Sequence, residues 1–155
     1  MIGDFMAKLR TIGDQAALAR AALDAALVSK LSGDATLTTL APGGVYWDMA
    51  PQGIATPFVV ITQMSHGDAY SLRAQAYEEI TYLVKAVDAN TSGVSAQNAA
   101  DRIHTLLQDA TLTVTGYRSL LVQRSERVRY VELDDESDRR WQHRGGLYLV
   151  FAEAA

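Results

Sequence analysis

Hydrophobic positions in two parts of the chain recur with the period of a helix. Across residues 13–32, Ala, Leu and Arg predominate, and Leu23, Leu27 and Leu31 follow one another at every fourth position. This spacing predicts a helix with one buried stripe. A second helix is predicted over about residues 95–110. Its buried side is expected to carry Ala99, Ile103, Leu106, Leu107 and Ala110.

Extended segments make up most of the remaining chain. Residues 77–88 alternate, so that Ile80, Tyr82, Val84 and Ala86 face one way and Glu79, Thr81 and Lys85 the other. A period of two with one polar side is typical of an antiparallel, half-solvated strand. Residues 57–64 predict an apolar strand, and the small and turn-forming residues 65–72 predict a loop. Two last strands, at 117–133 and 139–152, are predicted to join at an acidic hairpin tip.

These elements predict one α+β domain over residues 1–155, with residues 1–12 as a candidate flexible N-terminal segment. Helices and strands follow the order α-β-β-β-α-β-β. We expect an antiparallel, or mixed, sheet of four to five strands with two main helices packed on it. The side chains expected to share its core are Ile80, Tyr82, Val84, Ile103, Leu107, Leu149 and Phe151.

Composition narrows the classes of function. A net charge of −4 predicts weak non-specific affinity for nucleic acid. The chain has no cysteine, so disulfides and thiolate metal sites are excluded. Since no apolar run approaches the roughly 20 residues of a membrane span, no membrane partner is expected. Charges near the N-terminus also argue against a signal peptide.

No pattern in the sequence predicts catalysis. His66, His104 and His143 have none of the paired spacings typical of zinc sites, so no metal site is expected. The acidic residues at 134–138 lack the spacing of a calcium-binding loop, and a solvated hairpin tip is the better interpretation. Phosphate-binding glycine loops and a GxSxG nucleophile motif are also absent. We therefore expect no enzyme activity and no cofactor.

Residues 45–61, with the sequence VYWDMAPQGIATPFVVI, are the most distinctive segment. Pro51 and Pro57 each fix φ and favour an extended residue before them. Gly53 between them permits a sharp change of direction. The segment is predicted to be a kinked, extended arm that leads into an apolar strand.

A helix followed by Gly-Gly-Val-Tyr, Ala-Pro-Gln-Gly and Thr-Pro-Phe-Val-Val-Ile resembles the tail terminator, or tail completion, proteins of long-tailed phages. Similar sequences occur in gene transfer agents and tailocin-like particles. The resemblance implies a structural virion protein, made in the host cytoplasm, that forms a homo-hexameric ring. Such a ring caps the tail tube protein, ends tube polymerisation and offers a joining surface to the head-tail connector or neck protein. DNA would pass through its lumen without specific binding.

Two segments are candidates for the unlike surfaces that a closed ring requires: the arm, and the charged hairpin of the last two strands. Trp, Tyr and Arg are enriched at the centres of protein interfaces. A solvated face with weak cross-strand ion pairs remains an equal alternative for the hairpin. The interface hypothesis comprises Tyr46, Trp47, Arg73, Arg124, Arg127, Arg129, Asp134, Asp135, Glu136, Arg139, Arg140 and Trp141.

The sequence is also compatible with other functions. A neck or head-closure adaptor would also be a ring subunit with no catalytic motif. A small-ligand-binding domain or an enzyme would need a convergent polar pocket, which the sequence does not predict.

Overall fold

The computed structural model describes residues 21–72 and 75–154, which form a five-stranded mixed sheet with three helices on one face. This confirms the predicted α+β fold. The candidate N-terminal segment, residues 1–12, lies outside the described residues. The elements are α1 (described over residues 21–32), α2 (Ala35–Leu40), β1 (Val45–Trp47), β2 (Phe58–Tyr70), β3 (Gln75–Ala89), α3 (Val94–Leu107), β4 (Tyr117–Asp134) and β5 (Arg139–Ala154).

The strands lie in the order β1-β2-β3-β5-β4, and only the β1–β2 pair is parallel. The two edges of the sheet are therefore different. β4 forms one edge along its 18 residues. On the other edge β1 has three residues and pairs only with residues 59–61, so in the described part of the chain the rest of β2 is an edge as well.

The core lies between the helices and one face of the sheet. Leu23, Leu27 and Leu31 of α1 are buried there, as the fourfold spacing predicts, together with Ile103 and Leu107 of α3. From the sheet come Val59, Ile61, Ile80, Tyr82, Val84, Ala86, Val122, Tyr148, Val150 and Ala152. We call this side of the sheet the covered face and the opposite side the open face.

Asp34 joins two of the helices. Its carboxylate caps α2 by accepting a hydrogen bond from the Leu37 amide at 2.8 Å. The same carboxylate accepts two hydrogen bonds from Arg102 of α3, at 2.9 and 2.7 Å. The bond from the Arg102 side chain is the main reason that the pKa of Asp34 is lowered to about 2. This paired geometry fixes α2 against α3.

The structure corrects the predicted core at two positions of β5. Val150 lies opposite Ile80 and is buried, whereas Leu149 lies opposite Thr81 on the open face. Leu149 and Phe151 are both only partly buried. The expectation that they join the helix-side core was therefore wrong. Residues 147–152 are apolar at consecutive positions, so alternation could not reveal which side faces the helices.

The predicted loop at residues 65–72 is also wrong over most of its length. β2 continues to Tyr70 and pairs with β3 through Tyr70↔Gln75, after a register shift between Gln63 and Ser65. Cross-strand pairing thus outweighs the turn-forming composition of this segment. The outcome is a long hairpin whose outer half exposes Met64, Tyr70 and Leu72.

Two glycines in the middle of β5 permit close strand packing. A Cβ at Gly145 would lie 2.1 Å from the Val84 carbonyl oxygen and 2.6 Å from the Lys85 Cα. At Gly146 it would lie 2.9 Å from the Glu126 carbonyl oxygen. Any side chain here would require the neighbouring backbone to shift, so glycine is needed at these positions.

No helix lies over the open face within the described residues. Leu83, Leu147, Leu149 and Phe151 are half-buried there, and Tyr77 packs edge-on against Phe151 at 5.9 Å between ring centroids. Among the described helices, none has the length and hydrophobicity to cross a bilayer.

Candidate functional site

A β-bulge in β4 gathers three of the candidate arginines on one side. Because Ser125 is an extra residue between two ladder positions, Arg124, Arg127 and Arg129 lie opposite Tyr148, Gly146 and Arg144. Those three β5 positions alternate, so they share one face. The bulge thus places all three arginines on the covered face, where strict alternation would have separated Arg124 from the other two.

The three arginines line a groove beside α3, with a volume of about 450 Å³, that we call the arginine groove. Its other wall carries Asp101 and His104. Burial lowers the pKa of His104, and the charges of Arg124 and Arg127 lower it further. Within residues 21–72 and 75–154, none of the three guanidinium groups lies within 4 Å of a carboxylate oxygen. The described residues of the groove therefore carry a net positive charge, with three arginines against one carboxylate.

Arg144, on the neighbouring strand, has an internal role. It is 6% exposed, and its guanidinium donates hydrogen bonds to the His143 carbonyl and to the Gln142 side chain, each at 3.0 Å. A Cβ on Gly93 would lie 2.4 Å from its Nη2 atom, so the glycine at the start of α3 makes room for it.

The arm and the tip end of the last hairpin meet on the open face. Residues 48–56, together with Lys85, Arg139 and Trp141, line a groove of about 870 Å³ that we call the arm groove. The Arg139 guanidinium lies 5.8 Å from the Trp141 ring centroid, and Trp141 packs edge-on against Phe58. The two segments predicted as separate surfaces therefore form one surface at this end of the sheet.

A polar network lies beside the arm groove. The His143 ring stacks on Tyr130 with 4.3 Å between centroids, and its Nε2 atom is 3.1 Å from a Glu132 carboxylate oxygen. Lys85 donates a hydrogen bond to the Tyr130 hydroxyl at 2.6 Å. Burial lowers the pKa of His143, the charge of Lys85 lowers it further, and Glu132 acts in the opposite direction. The Nδ1 atom of His143 is buried and has no hydrogen-bond partner among the described residues.

The acidic tip forms as predicted, as a tight turn between β4 and β5. The Asp134 carboxylate accepts hydrogen bonds from the Glu136 amide and the Ser137 hydroxyl. The bond from Ser137 is the main reason that the pKa of Asp134 is lowered. Asp135 and Glu136 project into solvent, and Asp138 adopts a left-handed φ of 51°. The acidic side chains thus shape the turn or remain exposed.

The remaining candidate interface residues lie in different parts of the structure. Tyr46 donates a hydrogen bond to the Gly43 carbonyl at 2.6 Å, and Trp47 packs against Tyr82 of its own core. Arg140 is exposed near the acidic tip. Arg73 lies outside the described residues. The structure therefore places these candidates on both faces of the sheet, and their role at an interface stays a prediction.

One cluster was missed by sequence reasoning. His66, Asp68 and Glu78 lie together on the β2–β3 hairpin, with one donor atom from each within 4.8 Å of the others. The available signal was a His-x-Asp spacing on a strand, which puts both side chains on one face. It could not be used because this segment was predicted to be a loop.

Comparison with known proteins gives a family and two structural relatives. The family model described as Tail completion protein gp17 matches residues 25–151. A chain of the virion of a native gene transfer agent (GTA) particle is 19% identical with a TM-score of 0.60, covering 86% of this chain and 97% of that chain. A second solved structure, without a descriptive name, is 15% identical with a TM-score of 0.59 and covers 86% and 94%. Comparison with curated protein sequences gives no match.

Proposed function

Because the chain belongs to the Tail completion protein gp17 family, it is a structural protein of a phage-type virion tail, and we propose that it caps the tail tube as a ring. The observation that carries this proposal is the family match, which spans α2, α3, the first four strands and β5 as far as residue 151. The ring ends tube polymerisation and presents a joining surface to the head connector. No catalytic role is assigned, since the family consists of structural tail proteins.

The two unlike edges of the sheet support ring formation. A closed ring of identical subunits needs two different surfaces on each subunit, so that one edge meets the other edge of the next copy. β4 offers a long edge beside the arginine groove, and the outer part of β2 offers an edge that β1 does not pair with. These two edges are available for head-to-tail contact between neighbouring subunits.

The open face supports assembly as well. Leu121, Leu149 and Phe151 leave apolar surface there, and Leu121 is 41% exposed. A contiguous apolar patch rimmed by polar residues is typical of a surface that becomes buried against another protein. We propose that neighbouring subunits or the tube end cover it. Segments 65–75 and 134–140 are proposed to contact the tube or the connector.

The proposed ring does not grip DNA. The net charge is −4. Arg124, Arg127 and Arg129 lie in the arginine groove, which we assign to subunit contact. DNA can then pass through the lumen without specific binding, because phosphate contacts would require a basic stripe facing the lumen.

Charge reversal in the arginine groove tests the proposal. The Arg127→Glu, Arg129→Glu double variant should remain folded and fail to form a ring of about six subunits, since charge reversal in a subunit contact costs more than at a free surface. Light-scattering mass and negative-stain images, recorded with and without isolated tail tubes, report assembly. Lys30→Glu changes the charge of an exposed α1 residue by the same amount as Arg127→Glu alone and should assemble normally. Normal rings in the double variant would leave those arginines as a solvated face.

A further inference from the structure

The outer half of the β2–β3 hairpin carries three metal-ligating side chains on one face. His66 and Asp68 are two residues apart on β2, so they project to the same side. Glu78 lies directly opposite Asp68 on β3, and His66 lies opposite Ile80. Ile80 belongs to the covered face, so the three side chains lie on the continuation of that face.

The one short distance within the cluster matches the spacing of two ligand atoms around a small metal ion. The His66 Nε2 atom lies 3.5 Å from a Glu78 carboxylate oxygen, which is long for a hydrogen bond. Two ligand atoms bound tetrahedrally to one Zn²⁺ at about 2.1 Å are roughly 3.4 Å apart. Across residues 21–72 and 75–154, this is the one group of three His, Asp or Glu side chains whose donor atoms converge in this way.

Electrostatics also favours a cation at this place. Glu78 is 9% exposed, so its charge is costly to bury. A bound dication would offset this cost.

Glu78 is held in place by a neighbouring side chain. The Tyr117 hydroxyl donates a hydrogen bond of 2.7 Å to the same carboxylate oxygen that faces His66. Metal-binding carboxylates are commonly oriented by such an outer hydrogen bond. Tyr117 begins β4, which is not part of the hairpin, so this bond anchors the hairpin to the opposite edge of the sheet.

We propose that His66, Asp68 and Glu78 form a site for a first-row dication of the Zn²⁺ type. One imidazole nitrogen with two carboxylate oxygens suits Zn²⁺, whereas Mg²⁺ and Ca²⁺ prefer ligand sets made of oxygen alone. Three protein ligands leave a fourth position for water or for a group of a neighbouring molecule. The ion links the two strands of the hairpin.

Metal titration of the full, tag-free chain tests this site independently of ring assembly. After treatment with a chelator, calorimetry with Zn²⁺ should show saturable binding of one ion per chain. Co²⁺ should produce the visible absorption of a low-symmetry site with mixed nitrogen and oxygen ligands. His66→Ala should lower the Zn²⁺ affinity by at least about 100-fold, and Tyr117→Phe by about 10–100-fold.

Two further variants separate this site from chance binding. Asp68→Asn keeps the shape of the side chain and should weaken Zn²⁺ binding by about tenfold or more. Asp101→Asn removes a carboxylate on α3, outside the cluster, and should leave the affinity unchanged. Circular dichroism verifies that each variant is folded. If Zn²⁺ fails to bind saturably, or binds equally to the His66 and Asp68 variants, the proposal is overturned.

Discussion

The two faces of the sheet are formed by the same strands but differ in how deeply their side chains are buried. On the covered face, Ile80, Tyr82 and Val150 are at most 1% exposed and pack against three helices. On the open face, the intervening residues Leu149 and Phe151 remain half-buried although they are as apolar. The covered face therefore accounts for the stability of the subunit. The open face retains apolar surface that an isolated chain does not bury, as expected of an assembling protein.

The largest difference should appear when matched side chains are truncated on the two faces. Ile103→Ala leaves a cavity in the covered core and should lower the free energy of unfolding by about 2–5 kcal/mol. Leu149→Ala removes a half-exposed side chain and should cost about half as much or less in the isolated subunit. Chemical denaturation at a concentration where the chain is monomeric measures both. Equal losses of unfolding free energy would mean that the two faces are equally buried.

A smaller effect is expected from glycine substitutions at the middle of the sheet and at the hairpin. Gly145→Ala forces a Cβ against the β3 backbone and should cost about 1–3 kcal/mol. Gly67→Ala on the outer hairpin meets nothing within 4 Å and should change stability by less than about 0.5 kcal/mol. Thermal unfolding of the two variants makes the comparison. A tolerated Gly145→Ala would show that strands β3 and β5 are less tightly packed there.

The smallest expected effect is the pH dependence of stability to which His104 and His143 contribute. His104 borders the covered face and His143 the open face, and burial lowers the pKa of each below the ordinary value near 6.5. Such a residue binds fewer protons when folded than when unfolded. Stability should therefore be complete above that value and decrease as the pH falls below it.

Denaturation curves between about pH 7 and 5 measure this dependence. The His143→Gln and His104→Gln variants should each lose less stability over that interval than the unaltered chain. If one variant keeps the full slope, then that histidine does not contribute, and its face of the sheet is more solvated than its burial indicates.

The sequence predicted the covered face well because its signals are local. The fourfold leucines of α1 and the alternation in β3 each specify a buried side without knowledge of any partner. β5 was assigned the wrong phase because Leu147 to Ala152 is apolar throughout. Its orientation is set only by pairing with β3.

The candidate site was less predictable because it depends on register. The bulge at Ser125 turns Arg124 to the side of Arg127, and a strict alternation rule cannot anticipate an extra residue. The extension of β2 through Gly67 and Asp68 arises from long-range pairing that outweighs local turn propensity. The cluster of His66, Asp68 and Glu78 follows from that extension and was hidden for the same reason.

The length of tails made without this chain shows most directly whether the chain ends tube polymerisation. Particles assembled from a deletion of its gene would be imaged by negative-stain electron microscopy, with the purified protein added back as a control. Without the chain, we expect tubes of uncontrolled length that carry no heads. Heads should join to tubes once the protein is restored. Tails of normal length that still fail to join heads would indicate a neck adaptor. Intact, normal virions would contradict a structural role in the tail altogether.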